Sequence, residues 1–170
     1  MPFQSLLDET LDAWAYTRSS VISEVQNLSE ADLKLRPNPN SRNASEIAIH
    51  IVQSGLMMAG ELSRPDGNFQ RKPYPQFIQE YAGDIPQAAK KSALIQLLKR
   101  SHADGEKKIR SAGELHMLQW INRFDGERGS RMAWMNHGIS HEEYHRGQIA
   151  LYARLAGRVP ALTQLIYGKS

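Results

Sequence analysis

Residues 130–157 read SRMAWMNHGISHEEYHRGQIALYARLAG, and this stretch decides the fold. Ser130 can cap a helix whose stop signal is Gly157, so the spacing predicts one long helix running to about Ala156. Along it, Trp134, His137, Gly138, His141, His145, Gln148 and Tyr152 recur at steps of three and four and share one face. That face carries three imidazoles, an amide and a phenol, where a helix packed into a core would carry Leu, Ile and Ala. Burying an unpartnered polar group costs about 1–3 kcal/mol. A row of them on one face needs a common reason.

Outward from this run, three more stretches carry helical periodicity. From about Ser5 to Leu28, the residues Leu7, Leu11, Trp14, Arg18, Val21, Val25 and Leu28 form a heptad-like face broken only by Arg18. A second helix is predicted from Asn43, with Glu46 at the capping-box position, to Arg64, where Pro65 disfavours helical geometry in the residue before it. Its stripe is Ile47, Ile51, Ser54 and Met58, and His50 lies on it. A third is predicted to start at Asp84, with Pro86 in its first turn and Gln87 at the capping-box position, and to end before Gly113. It carries Ile95, Leu98, His102 and Ile109 on one face, and Gly105 weakens it by about 1 kcal/mol relative to Ala.

The Pro- and Gly-rich connection over 65–85 can hold a turn of helix at QFIQEYAG, and the tail after Gly157 a last short one. FDGERGS (124–130) reads as a loop, and no stretch alternates Val, Ile and Thr as a strand would. Four long amphipathic helices predict an all-α four-helix bundle with long connections, one domain over residues 1–170.

Composition narrows the function classes. Hydrophobic residues make up 41% and charged residues 23%, the balance of a soluble globular chain. There is no cysteine, which removes disulfide frameworks, thiolate nucleophiles, iron–sulfur clusters and Cys-based zinc sites together. The opening MPFQSLLDETLDAW lacks the basic-then-apolar pattern of a signal peptide. No run approaches the roughly 18 apolar residues that span a bilayer. The expected setting is therefore the cytoplasm, away from membrane. The net charge of +3 is small, and Arg36, Lys90, Lys99, Lys107 and Arg128 are scattered, so no nucleic-acid partner is expected.

The chemistry lies with the histidines. His141 and His145, four apart on one helix, point the same way, and both rings can reach one ion at about 2.0–2.1 Å. Neutral imidazole suits Zn, Ni, Cu or Fe(II). The run HEEYH also matches the H-E-x-x-H pattern of zinc proteases, with Glu142 as general base. That pattern needs a third ligand, usually downstream, and residues 146–170 contain no His, Asp or Glu. The third ligand must come from upstream, and His50, inward-facing on the second helix, is the best candidate; alone it would read as a core histidine. Three protein ligands leave a position open for water or substrate.

His102 is a reserve ligand, or else a half-buried helix histidine. His137 could hydrogen-bond to a metal-bound group, be a fourth ligand or form a pocket wall, and His116 reads as a surface residue. Glu142 is a proton acceptor in a hydrolase reading and a solvent-facing residue otherwise. Arg146 can meet an anionic substrate or sit in a surface salt bridge, while Trp134, Tyr144 and Tyr152 line a pocket or pack in the core.

The segment HGISHEEYHRGQIALYARLAG resembles the last-helix signature of the DinB/YfiT-like superfamily, in which HxxxHRGQI precedes a Leu/Tyr-rich turn and a glycine. LRPNPNSRNASEIAIHIVQSG is similar to that family's entry into its second helix. The resemblance covers most of the chain and implies a four-helix bundle with a three-histidine metal site at His50, His141 and His145, taking Zn or Ni first and Fe as a further candidate. It implies a homodimer and a small-molecule substrate. It also implies either a metal-dependent hydrolase or a transferase or isomerase that uses a low-molecular-weight thiol such as mycothiol, bacillithiol or glutathione. The competing readings are a non-catalytic metal- or ligand-binding helical protein and a metal-free interaction module.

Overall fold

The computed structural model describes residues 4–87 and 90–168. The chain begins with α1 (Leu6–Asn27), whose first amides are capped by Ser5: the Asp8 N–H donates to Ser5 Oγ at 3.1 Å. After a short 3-10 turn at Asp32–Lys34 comes α2 (Ala44–Ser63). The capping box expected at its start is present, with the Glu46 N–H on Asn43 Oδ1 at 2.9 Å and the Asn43 N–H on Glu46 Oε2 at 3.0 Å. It ends before Arg64-Pro65, as the proline requires. Then follow α3 (Tyr74–Ala82), α4 (Lys91–Ala112), the single turn α5 (Glu114–Met117), strands β1 (Trp120–Asn122) and β2 (Arg128–Ser130), α6 (Arg131–Leu155) and α7 (Ala161–Tyr167).

The helix α6 is closed by sequence-local devices at both ends. Ser130 Oγ accepts from the Ala133 N–H at 3.1 Å. At the other end Gly157 adopts φ +75°, its N–H donates to Arg154 O, and the Arg158 N–H donates to Ala153 O, a Schellman closure. The four long helices form the bundle: α1 and α2 each pack against both α4 and α6 and face one another across the diagonal.

Two apolar clusters fill the interior. One gathers Val21, Val25, Ile47, Ile51, Leu94, Leu98 and Ile149, the other Leu11, Trp14, Met57, Phe69, Phe77, Ile109 and Met135. Between them, at the level of Arg18 on α1 and Glu142 on α6, runs a polar layer.

Two expectations are corrected. The third long helix starts at Lys91, not Asp84; Gly83-Asp84 is a turn, and residues 88 and 89 lie outside the described ones. Its first amide is capped from a distant part of the chain, by Glu30 Oε1 at 2.9 Å, while Ile85 packs against the first apolar cluster. Second, the stretch around FDGERGS holds a β-hairpin, with Trp120 opposite Ser130, Ile121 opposite Gly129 and Asn122 opposite Arg128. Ile121 is buried, Gly126 takes φ +90° in the loop, and the Phe69 N–H donates to Asn122 O at 3.0 Å, so the preceding connection straps this short ladder to the bundle. The short helices anticipated at 76–83 and in the tail are α3 and α7.

Candidate metal centre

His50 from α2 and His141 and His145 from α6 meet at one point. His50 Nε2 lies 3.2 Å from His141 Nε2, which lies 3.1 Å from His145 Nε2, and ligand atoms of all three lie within 4.8 Å of one another. The rings stand edge to face, with interplanar angles of 72° to 89°. His145 Nδ1–H donates to Gln148 Oε1 at 2.7 Å, which fixes its tautomer and leaves the lone pair on Nε2. His141 Nε2 faces both other nitrogens, yet one ring nitrogen carries either a proton or a lone pair, so hydrogen bonding alone cannot serve both contacts.

The donor set fits a divalent ion. Two nitrogens each about 2.0–2.1 Å from one ion, at tetrahedral to octahedral angles, stand about 2.8–3.4 Å apart, and the observed separations fall in that range. Burial pushes the imidazoles toward the neutral form that metals take. His50 is held down to about 3, with the charge of Arg42 acting in the same direction, and His141 to about 4, with His145 adding to the effect of burial. Burial lowers His145 as well, against the opposing bond to Gln148.

The remaining histidines stay outside this cluster. His102 on α4 packs on Trp14, with ring centroids 4.6 Å apart, and is a half-buried helix histidine. His137 is a pocket wall: it stacks on Trp134 at 4.4 Å and 11°. His116 is not a surface residue as the sequence suggested; it is half-buried, with Nε2 2.9 Å from Leu62 O.

Glu142 is neither solvent-facing nor free to act as a base. It is 2% exposed and forms a two-pronged ion pair with Arg18, also 2% exposed, while Trp14 Nε1–H donates to Oε1 at 2.8 Å. Arg18 also donates to Leu98 O and Ser101 Oγ. The arginine that broke the apolar face of α1 and the glutamate inside HEEYH are each other's partners. A lone Arg on an apolar stripe was the available sign that some inward carboxylate must answer it. Arg146 sits in a salt bridge with Glu143, Tyr152 is buried with its hydroxyl on Arg42 O, and Tyr144 is exposed.

Two hollows flank the triad. On the His141 side lies a cavity of about 220 Å³ lined largely by carbon, including Met58, Phe124, Trp134, Met135 and Ile139, with a Ser54–Tyr74 hydroxyl pair 3.2 Å apart. On the His50 side a polar hollow is lined by Arg42, Glu46, Gln53 and Gln87. Sequence reasoning missed Phe124, Tyr74 and Met58 as cavity residues; the first stands in the hairpin loop and the second opens α3, segments whose path no local pattern encodes.

Residues 1–169 match the model of the DinB family. No curated protein matches the chain by sequence. Among solved structures, the chain is similar to YfiT from Bacillus subtilis, described as a probable metal-dependent hydrolase with an unusual four-helix bundle topology. The identity is 13%, the TM-score 0.69, and the match covers 93% of this chain and 94% of that one. A DinB-like protein from Bacillus cereus is 19% identical at TM-score 0.68, over 94% of this chain and 97% of that one. A mycothiol-dependent maleylpyruvate isomerase is 12% identical at TM-score 0.66, over 88% of this chain and 61% of that one. At these identities the likeness carries the bundle fold.

Proposed function

The chain belongs to the DinB family, and on that premise we propose that it is a divalent-metal-dependent enzyme acting on a small molecule through His50, His141 and His145. The convergence of three neutral imidazole Nε2 atoms from two helices is the observation that supports this reading most directly. When bound, a divalent ion lowers the pKa of a coordinated water or thiol and polarises a carbonyl; Zn or Ni fits three nitrogen donors, and Fe(II) is compatible. Gln148 holds the His145 ring in the orientation that presents Nε2. The polar layer of Arg18 and Glu142 ties α6 to α1, which fixes the helix that carries two of the three donors.

The carboxylates lining the two hollows are both committed: Glu142 to Arg18 and Trp14, and Glu46 to Arg36 and its own helix cap. Among the described residues no idle carboxylate stands on those walls to take a proton from the nucleophile. This disfavours the protease-like use of Glu142 and suits a nucleophile acidified by coordination alone, water in a hydrolase or a low-molecular-weight thiol in a transferase. Among the structures this chain is similar to, one is described as a probable metal-dependent hydrolase and another as a mycothiol-dependent maleylpyruvate isomerase.

Elemental analysis of untagged protein tests the site. Wild type is expected to carry one equivalent of Zn, Ni or Fe per chain, and His50→Ala and His145→Ala to carry none. A wild type that takes up no metal after reloading would end the proposal and favour a metal-free helical module. Once metal is present, turnover of a thiol-acceptor substrate pair against turnover of esters and amides separates transfer from hydrolysis.

A further inference from the structure

We infer that the carbon-lined cavity beside the triad binds an uncharged, ring-sized apolar part of the substrate. The inference rests on the metal-enzyme reading for its catalytic meaning and on the cavity itself for its selectivity. Position is the first argument: His141 contributes to the cavity wall and Nε2 of the same ring belongs to the triad, so a group seated there is joined directly to whatever meets the three nitrogens.

Size is the second argument. A cavity of about 150 Å³ lined by aliphatic and aromatic side chains accepts benzene, and this one measures about 220 Å³. It has room for a ring and a substituent.

Chemistry is the third. Among the described residues no Lys or Arg lines the cavity, and its carboxylate, Glu142, is already neutralised by Arg18. In the metal-free chain a charged group entering would lose its hydration without gaining a counter-ion, a large penalty. The walls instead offer the indole of Trp134, the ring of Phe124 and the thioethers of Met58 and Met135, soft groups that adapt to a flat ring and make favourable sulfur–aromatic contacts. The Ser54–Tyr74 hydroxyl pair can receive one polar substituent.

Gly138 supports the assignment from the backbone side. It lies within α6, where glycine costs about 1 kcal/mol relative to alanine. It lines the cavity, and a Cβ there would come within 3.2 Å of Met58 Cε. Its missing side chain is volume left to the ligand.

The test uses the full chain labelled with carbon-13 at the methionine methyls, metal-free and metal-loaded, titrated with benzyl alcohol and with benzoate, the same ring carrying a charge. Benzyl alcohol is expected to shift the methyls of Met57, Met58 and Met135, which line the cavity, saturably, and to leave Met117 and Met132 unmoved. Benzoate is expected to bind there at least tenfold more weakly in the metal-free chain. Gly138→Leu is expected to weaken benzyl alcohol binding at least tenfold at unchanged metal content; Gly138→Ala, a smaller intrusion that favours the helix, should weaken it several-fold. Equal binding of the two probes to the metal-free chain, shifts spread over all the methyls, or undiminished binding in the Gly138 variants would overturn the inference. Selective binding in a chain that holds no metal would keep the cavity assignment and end the enzyme reading. Metal uptake without ring binding would do the reverse.

Discussion

Glu142 shows how far a residue's meaning depends on what lies opposite it. Within HEEYH it occupies the place of a protease general base, yet both its oxygens are taken by Arg18 and Trp14 in a buried layer. Removing one member of a buried ion pair leaves the other charged and unpaired, at a cost of about 3–5 kcal/mol. Glu142→Gln is therefore expected to lower stability by about that amount, read from the urea midpoint at unchanged m, while metal content at saturation stays at the wild-type value. A general base would behave in the opposite way, with stability kept and turnover lost. Of the candidate site, the pair His141 and His145 was legible because a spacing of four on one helix is local information, and His50 because its apolar neighbours placed it inward. The Arg18–Glu142 partnership was not, since each residue alone looked like an exception and only the packing of α1 against α6 brings them together.

At the scale of elements, the same division holds. The starts of α2 and α6 could be read because Asn43, Glu46 and Ser130 cap their own helices. The start of α4 could not, because Glu30, just after α1, caps it from a distant part of the sequence. The hairpin escaped because two strands of three residues carry too little pattern, and their pairing is supported by Phe69 from a different segment. Gly105 in α4 makes the point testable. Helix propensity predicts that Gly105→Ala stabilises by about 1 kcal/mol. The packing predicts the opposite, because the new Cβ would come within 2.6 Å of Trp14 Cη2 and 3.1 Å of Ala59 Cβ. Trp14 cannot easily retreat, held as it is by its bond to Glu142 and its contact with His102. We expect a net loss of about 1–3 kcal/mol, the usual cost of overpacking, measured by chemical denaturation. A gain would mean that the indole moves freely and that the polar layer is looser than its hydrogen bonds imply.

For the whole molecule the question is what a metal at the triad would do to the bundle. Both apolar clusters are built from residues other than His50, His141 and His145, and α1, α2 and α6 are capped by their own residues. The fold therefore does not need an ion in the way a small zinc-stapled domain does, and chelation is expected to leave the far-ultraviolet circular dichroism of the protein intact. An ion that binds the folded state alone nevertheless stabilises it by mass action, by about 2.7 kcal/mol at a free concentration one hundred times Kd. For a chain of this size each kcal/mol moves Tm by about 2–4 °C, so metal loading should raise Tm by about 5–11 °C. The rise should grow with the logarithm of free metal and vanish in His50→Ala, because α2 then contributes no donor to the two that α6 still presents. Scanning calorimetry across a metal titration checks this. A Tm that ignores the metal in wild type would show that the three nitrogens do not act as one site, whereas a chain that unfolds on chelation would show that the two clusters cannot hold the four helices together unaided.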